Sequence, residues 1–339
     1  MKMKNLNNFM NKDKNFSRLV LILVFIFLLY TFVFFKDFWR VDNFISMASQ
    51  FPEFGLLAIA ISLTMISGGI DLSVVSIANL AAIVSGIFLI NFVPKGASTG
   101  FTVSSILIAI LMAILIGCIL GIINGFLIAV FGIPAILVTI GTLQLYTGIA
   151  VVITKGSALM NLPRLYSDLG NTKIFGFIPV YFIIFIIIAT IVGIILSKTR
   201  LGMHIYLFGT NEKASHFAGL NNTWIIIRVY MISGMIAAVS GLIMMSRASS
   251  AQASTGASYI LPCVLIAVMG GVNPKGGFGN ILGVVTAIII MQVLSNGISL
   301  INQINPTYRD LIWGFVLILI LLLDYIMNKR QEKISLKGK

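Results

Sequence analysis

Apolar runs about 20 residues long leave this chain few folds to choose from. Leu19 to Phe35, Pro179 to Leu196 and Trp224 to Met245 are examples. No water inside a bilayer can bond an exposed N–H or C=O, so such runs cross as helices and open strands are excluded. Hydrophobic residues make up 58% of the chain and charged ones 10%, more apolar surface than a soluble domain of this length hides. Hydropathy and breakers together predict about ten helices, roughly 19–35, 44–67, 72–92, 102–130, 133–153, 178–197, 224–246, 259–272, 280–300 and 310–327. The predicted fold class is an all-α integral membrane protein with broken or re-entrant segments. Ile119–Ile123 and Ile281–Val285 share an Ile-Leu-Gly pattern. They run in opposite directions in this topology, as an inverted internal repeat requires.

The net charge of +13 sits mostly at the two ends and in one loop, where it orients the protein and does not point to nucleic acid. Residues 1–18 form a basic tail with Lys2, Lys4, Lys12, Lys14 and Arg18. Residues 329–339 form another, with Lys329, Arg330, Lys333, Lys337 and Lys339. Between them, 19–328 reads as a single transmembrane domain. Lys198, Arg200 and Lys213 mark the loop 198–223 as lying on the same side as both tails, the cytoplasmic side by the positive-inside rule. The first apolar run is long for a signal peptide and no small-residue cleavage site follows it, so it reads as a retained span. Cys118 and Cys263 lie in apolar runs and read as packed thiols.

Within the polar interruption Thr199–Asn222, the stretch Glu212–Leu220 has room for about two helical turns. Ala214 and Ala218 fall on one face of it, and Gly209 and Gly219 are plausible stops. A short helix with small faces, held at the membrane surface, suits docking to another protein. The plainer reading is a solvated loop.

Ser67-Gly68-Gly69-Ile70-Asp71-Leu72-Ser73 is the first irregularity at membrane depth. Two glycines break a helix, and Asp71 is able to cap the next one. A carboxylate there is costly unless it is capped, paired or facing water. A plain N-cap and a broken helix lining a path are compatible readings. Gly117, Gly121 and Gly125 form a tandem small-xxx-small pattern, a signal for close helix packing, with Asn124 inside it. Pro134 is placed to begin a helix after Gly132. Residues 155–177 show little periodicity and read as an external gate or docking surface. Ser246–Ser258 is small and polar, an external loop or irregular backbone buried in protein, with the loop the safer reading. Gly270–Gly279 resembles a phosphate loop, yet no Lys-Ser/Thr pair follows and no strand precedes it, so it reads as a flexible turn. The spans carry almost no ionisable residue beyond Asp71, which argues against proton coupling. His204 and His216 both fall in the loop, and no catalytic or metal constellation is visible.

Taken in this order, SGGIDLSV at 67–74, the Gly121–Gly125 stretch, GTNEKASHFAGL at 209–220, SRASSAQ at 246–252 and the paired glycines of 270–279 resemble the permease subunit of ribose-type ABC sugar importers. The resemblance runs from about Phe44 to Asp324. It implies two permeases forming a pore, two cytoplasmic ATPase subunits that bind ATP and magnesium, and an extracytoplasmic sugar-binding protein. The second permease is a copy or a paralogue, the chain itself binds no cofactor, and the location is the bacterial plasma membrane with both termini inside. The resemblance makes Gly209, Asn211, Glu212, Ala214, Gly219 and Leu220 the ATPase-coupling segment, with Ala218 on the same face. It makes the break at Gly68, Gly69, Ile70, Asp71, Leu72 and Ser73 part of the translocation path. Other candidates for that path are Ser67, Asn79, Asn124 and Asn296, whose neutral groups suit a hydroxyl-rich solute. This chain has Val75 where many members have glycine. It has Tyr259–Cys263 where many have an acidic pair. Relatives of this kind carry other pentoses and hexoses, rhamnose or furanone-type signals, and more distant ones carry nucleosides or branched amino acids.

Overall fold

The helices are set by unbroken apolar sequence and end where glycine, proline or a small polar residue interrupts it. A computed structural model describes residues 14–94, 96–170 and 172–300, with 311, 314, 315 and 318. Most of the last expected helix, roughly 310–327, most of the N-terminal tail and all of the C-terminal tail lie outside the described residues. In chain order the helices are α1 (Lys14–Val33), α2 (Phe35–Phe38), α3 (Val41–Ile66), α4 (Val74–Phe92), α5 (Thr99–Phe131), α6 (Ala135–Thr154) and α7 (Arg164–Leu169). A two-residue hairpin, β1 (Lys173–Ile174) with β2 (Ile178–Pro179), follows. Then come α8 (Val180–Lys198), α9 (Arg200–Thr210), α10 (Glu212–Phe217), α11 (Asn222–Ala248), α12 (Ile260–Met269) and α13 (Ile281–Leu300). Among the described residues seven helices are long and apolar enough to cross a membrane: α1, α3, α4, α5, α6, α8 and α11.

Helices α3, α4 and α11 form the centre. Every residue of α3 from Gly55 to Ile66 is buried, as expected of a helix apolar on all sides inside a bundle. Helix α5 is just as apolar but exposes Leu107, Leu111, Leu115, Ile119 and Phe126. These lie at helical spacing along one outer face, the face a lipid tail would meet. Its inner face carries the glycines. A Cβ on Gly121 would land on the backbone of Tyr230 in α11, and one on Gly125 would sit 2.7 Å from Ile227 Cα. The small-xxx-small pattern therefore brings two backbones together.

Helix α12, at 10 residues, is about 15 Å long and crosses only part of a bilayer. Residues 155–177, which show little pattern in sequence, contain α7 and the first strand of the hairpin. Residues 249–256 are irregular backbone ending in a short 3-10 turn, with Ser249, Gln252, Ser254, Ala257 and Ser258 exposed and Ala251 and Ala253 tied into the protein. Ala251 exchanges backbone bonds with Leu159, and Asn79 Nδ2 donates to the carbonyls of Ala253 at 2.9 Å and Thr255 at 2.8 Å. Helix α9 has no counterpart among the sequence expectations.

Candidate functional site

Helix α3 ends at Ile66 because Ser67 and Gly68, the latter at φ +87°, turn the chain away. By then α3 has run 26 residues, about 39 Å, so the break falls at the end of a full span. Asp71 follows, fully buried. Its Oδ1 accepts from Ser73 N at 3.0 Å and Ser73 Oγ at 2.6 Å, and its Oδ2 accepts from Ser233 Oγ of α11 at 3.3 Å. The carboxylate thus caps a turn two residues on, just before α4 begins. Around it, Asn124 Nδ2 of α5 donates to Ser73 Oγ at 2.8 Å, and Tyr146 Oη of α6 donates to Asn124 Oδ1 at 3.2 Å. Thr139 Oγ1 of α6 donates to the Ile70 carbonyl at 3.0 Å. A Cβ on Gly69 would strike the Tyr230 hydroxyl. The break is therefore a buried polar joint shared by α5, α6 and α11, and each hydrogen bond is worth more there than in water.

Asp71, Ser73 and Asn124 meet in this joint, next to Gly68 and Gly69. Ser67, Asn79 and Asn296 do not. Ser67 Oγ donates to the Thr64 carbonyl, Asn79 holds the 253–255 backbone, and Asn296 exchanges bonds of 2.7 and 3.2 Å with Asn43 at the start of α3. All three are used in packing.

The α10 segment is shorter than expected, six residues where about two turns to Leu220 were predicted. Gly219, at φ +77°, and the non-helical Ala218 end it. Asn211 is its N-cap, accepting from Ala214 N at 3.0 Å. Asn222, the first residue of α11, braces it: Asn222 Nδ2 donates to the Glu212 carbonyl at 3.0 Å, and Ser215 Oγ donates to Asn222 Oδ1 at 2.8 Å. Asn211, Glu212, Ala214, Ala218 and Gly219 are exposed, while Gly209 and Leu220 are half-buried. Sequence reasoning passed over Phe217, which is 88% exposed on this segment, and Trp224 beside it at 55%. Large aromatics left uncovered in a polar stretch were the available signal.

Gly270–Gly279, read from sequence as a flexible turn, is a turn braced by backbone bonds. Gly276 N donates to the Asn273 carbonyl at 2.9 Å and Asn273 N to the Phe278 carbonyl at 3.0 Å. Gly276 and Gly277 are buried, wedged between the α3 end and α9.

Toward the other end of α11 lies an ion pair that corrects the expectation of spans almost free of charge. Glu53, buried in α3, and Arg247, in the last turn of α11, pair at 2.7 Å. Tyr259 Oη donates to Glu53 Oε2 at 3.5 Å and Ser240 Oγ to the Glu53 carbonyl at 2.6 Å. Arg247 also lines an open cavity of about 410 Å³ with Ser46, Ser49, Gln50, Thr172 and Lys173. Glu53 neighbours Pro52 inside an apolar run, and no spacing in the sequence ties it to Arg247. Among the described residues no cluster of His, Cys, Asp and Glu suits a metal ion.

Comparison with known proteins places this geometry. Residues 43–321 match the family described as branched-chain amino acid transport system / permease component. The chain is 32% identical over 284 residues to the ribose import permease protein RbsC of Bacillus subtilis (strain 168), covering 83% of this chain and 84% of that one. It is 27% identical over 303 residues to the autoinducer 2 import system permease protein LsrD of Yersinia pestis (strain Pestoides F), covering 85% and 87%. The LsrD of Yersinia pseudotuberculosis serotype O:1b (strain IP 31758) matches at the same identity and coverage. No solved structure matches. The buried joint, the tight glycine packing and the several spans thus belong to a multi-pass, non-catalytic transmembrane subunit, and the chain is a member of the binding-protein-dependent ABC permease family.

Proposed function

We propose that this permease imports a small, neutral, hydroxyl-rich solute, with a ribose-like monosaccharide foremost, and that it is driven by ATP hydrolysis in a partner subunit docked on α10. The observation that carries the docking half is α10 itself: capped by Asn211, braced by Asn222, and ending in the uncovered Phe217. A short rigid segment with an exposed aromatic is the form of a docking knob. The positive loop charges support placing α10 and both termini in the cytoplasm. The sugar half rests on the 32% identity to a ribose permease. The autoinducer 2 permeases favour a second reading, a furanone-type signal as solute.

In this reading the chain holds no ATP. Two permeases, copies or paralogues, enclose the path, and an extracytoplasmic sugar-binding protein delivers the solute. ATP binding closes the ATPase pair, α10 moves with it, and the bundle shifts between two packed states. The joint at Asp71 is the element whose bonds exchange, since it lies where α3 gives way to α4 and touches three other helices. Phe217→Asp tests the docking. Phe217 contributes little to the fold, so the variant should insert normally, lose the ATPase on co-purification and lose ATP-dependent ribose uptake in liposomes. Retained ATPase and uptake in that variant, or uptake without ATP in the native protein, would refute the reading.

A further inference from the structure

Three segments far apart in the chain interlock backbone to backbone beside α10. At the end of α3, the Ile66 carbonyl has no helical partner and accepts instead from Gly277 N at 2.8 Å. In α9, Gly209 fills the gap between that carbonyl and Gly277, where a Cβ would lie 2.6 Å from Gly277 N. In the turn, a Cβ on Gly276 would lie 2.7 Å from the Gly209 carbonyl oxygen and 2.8 Å from Gly68 Cα. One on Gly277 would lie 2.8 Å from Thr210 Cα. Tyr206 Oη of α9 closes the set by donating to the Gly279 carbonyl at 2.7 Å. Burial raises the Tyr206 phenol above its ordinary value, so it stays a neutral donor.

We propose that the Gly276–Gly277 turn, latched by Tyr206, is the positioning element that carries movement of α9–α10 to the α3–α4 break. The inference rests on the docking role of α10 and names how that docking is felt inside. Side chains yield by changing rotamer, whereas backbone against backbone has nothing to rotate, so displacement on one side is passed on. Thr210, which touches Gly277, is followed directly by Asn211 and α10. Gly68, which touches Gly276, lies three residues before Asp71. The turn therefore sits between the docking segment and the buried joint, and it touches the chain leading to each.

The experiment uses the full permease with its ATPase in nanodiscs and a non-hydrolysable ATP analogue, so no solute need be known. Backbone hydrogen exchange is read over 212–220 and over 66–74, with and without analogue. In the native complex both peptides should respond. Tyr206→Phe removes only the latch, so the response at 212–220 should persist while that at 66–74 falls at least threefold. A full response at 66–74 in Tyr206→Phe overturns the proposal. A native complex with no response at 212–220 would instead refute the docking reading on which it stands. The thermal midpoint of Tyr206→Phe should stay within a few degrees of native, which separates lost positioning from lost folding.

Discussion

The two ends of α11 are held by different materials. Near its first turn, α10, α9, the 276–277 turn and the α3 end meet largely through glycine and bare backbone, with Asn222 and Tyr206 the side chains that add bonds. Near its last turn, side chains make the joints: Glu53 with Arg247, Tyr181 with Ser246, Ser246 Oγ with the Tyr166 carbonyl, and Tyr166 with the Leu242 carbonyl. The difference predicts different tolerance. A side-chain joint accepts a conservative replacement at partial cost. A glycine joint accepts none, because the smallest possible change adds a Cβ where an atom already sits.

Three substitutions sharpen or break that contrast. The largest effect belongs to Gly277→Ala. It combines left-handed strain at φ +78° with a Cβ pressed on Thr210, together about 2–6 kcal/mol. The amount of detergent-stable protein reads it. Gly176, at φ +79° with open space around it, is the internal control and should cost only the strain, about 1–3 kcal/mol. Equal losses at the two positions would mean that the turn is not tightly held.

Next comes Arg247→Ala, which leaves the Glu53 carboxylate buried without its counter-charge at a cost of about 3–5 kcal/mol. Thermal unfolding in detergent should show it. Arg247→Lys should recover a good part of the loss, since it keeps the charge though not the planar fork. If Lys proves as damaging as Ala, the side-chain end is no more forgiving than the glycine end. The smallest effect is expected at Asn211→Ala, the lost cap of α10, about 1 kcal/mol. Titration of the permease with its ATPase should show about fivefold weaker binding on that figure. Unchanged affinity would mean that the partner itself orders α10.

Much of the fold was legible in the residues. Helices α3 to α6, α8, α11 and α13 all begin and end within a few residues of where breakers and hydropathy put them, because a bilayer demands long helices and glycine or proline ends them. The backbone approach at Gly121 followed from spacing alone. Part of the site was also legible. Asp71 at a double-glycine break had to be capped or paired, and it is bonded by Ser73 and Ser233. What escaped was everything made between distant segments. Nothing in Gly209, in Gly276 or in Gly68 names the other two. Helix α9 was hidden inside a stretch read whole as one polar interruption, although Gly202, Ile205 and Phe208 recur at three-residue spacing and are buried on one side.

The sequence by itself determined that this chain crosses a membrane as helices, where most of them break, and that its polar residues gather in a few places. Tertiary structure decided which apolar helices keep an exposed face and which lie in the core. Leu111 in α5 and Leu57 in α3 are equally hydrophobic, yet one is 62% exposed and the other 0%. Lipid tails are as apolar as a protein interior, so hydropathy does not separate the two surroundings. Only the set of neighbours does, and those neighbours come from elsewhere in the chain.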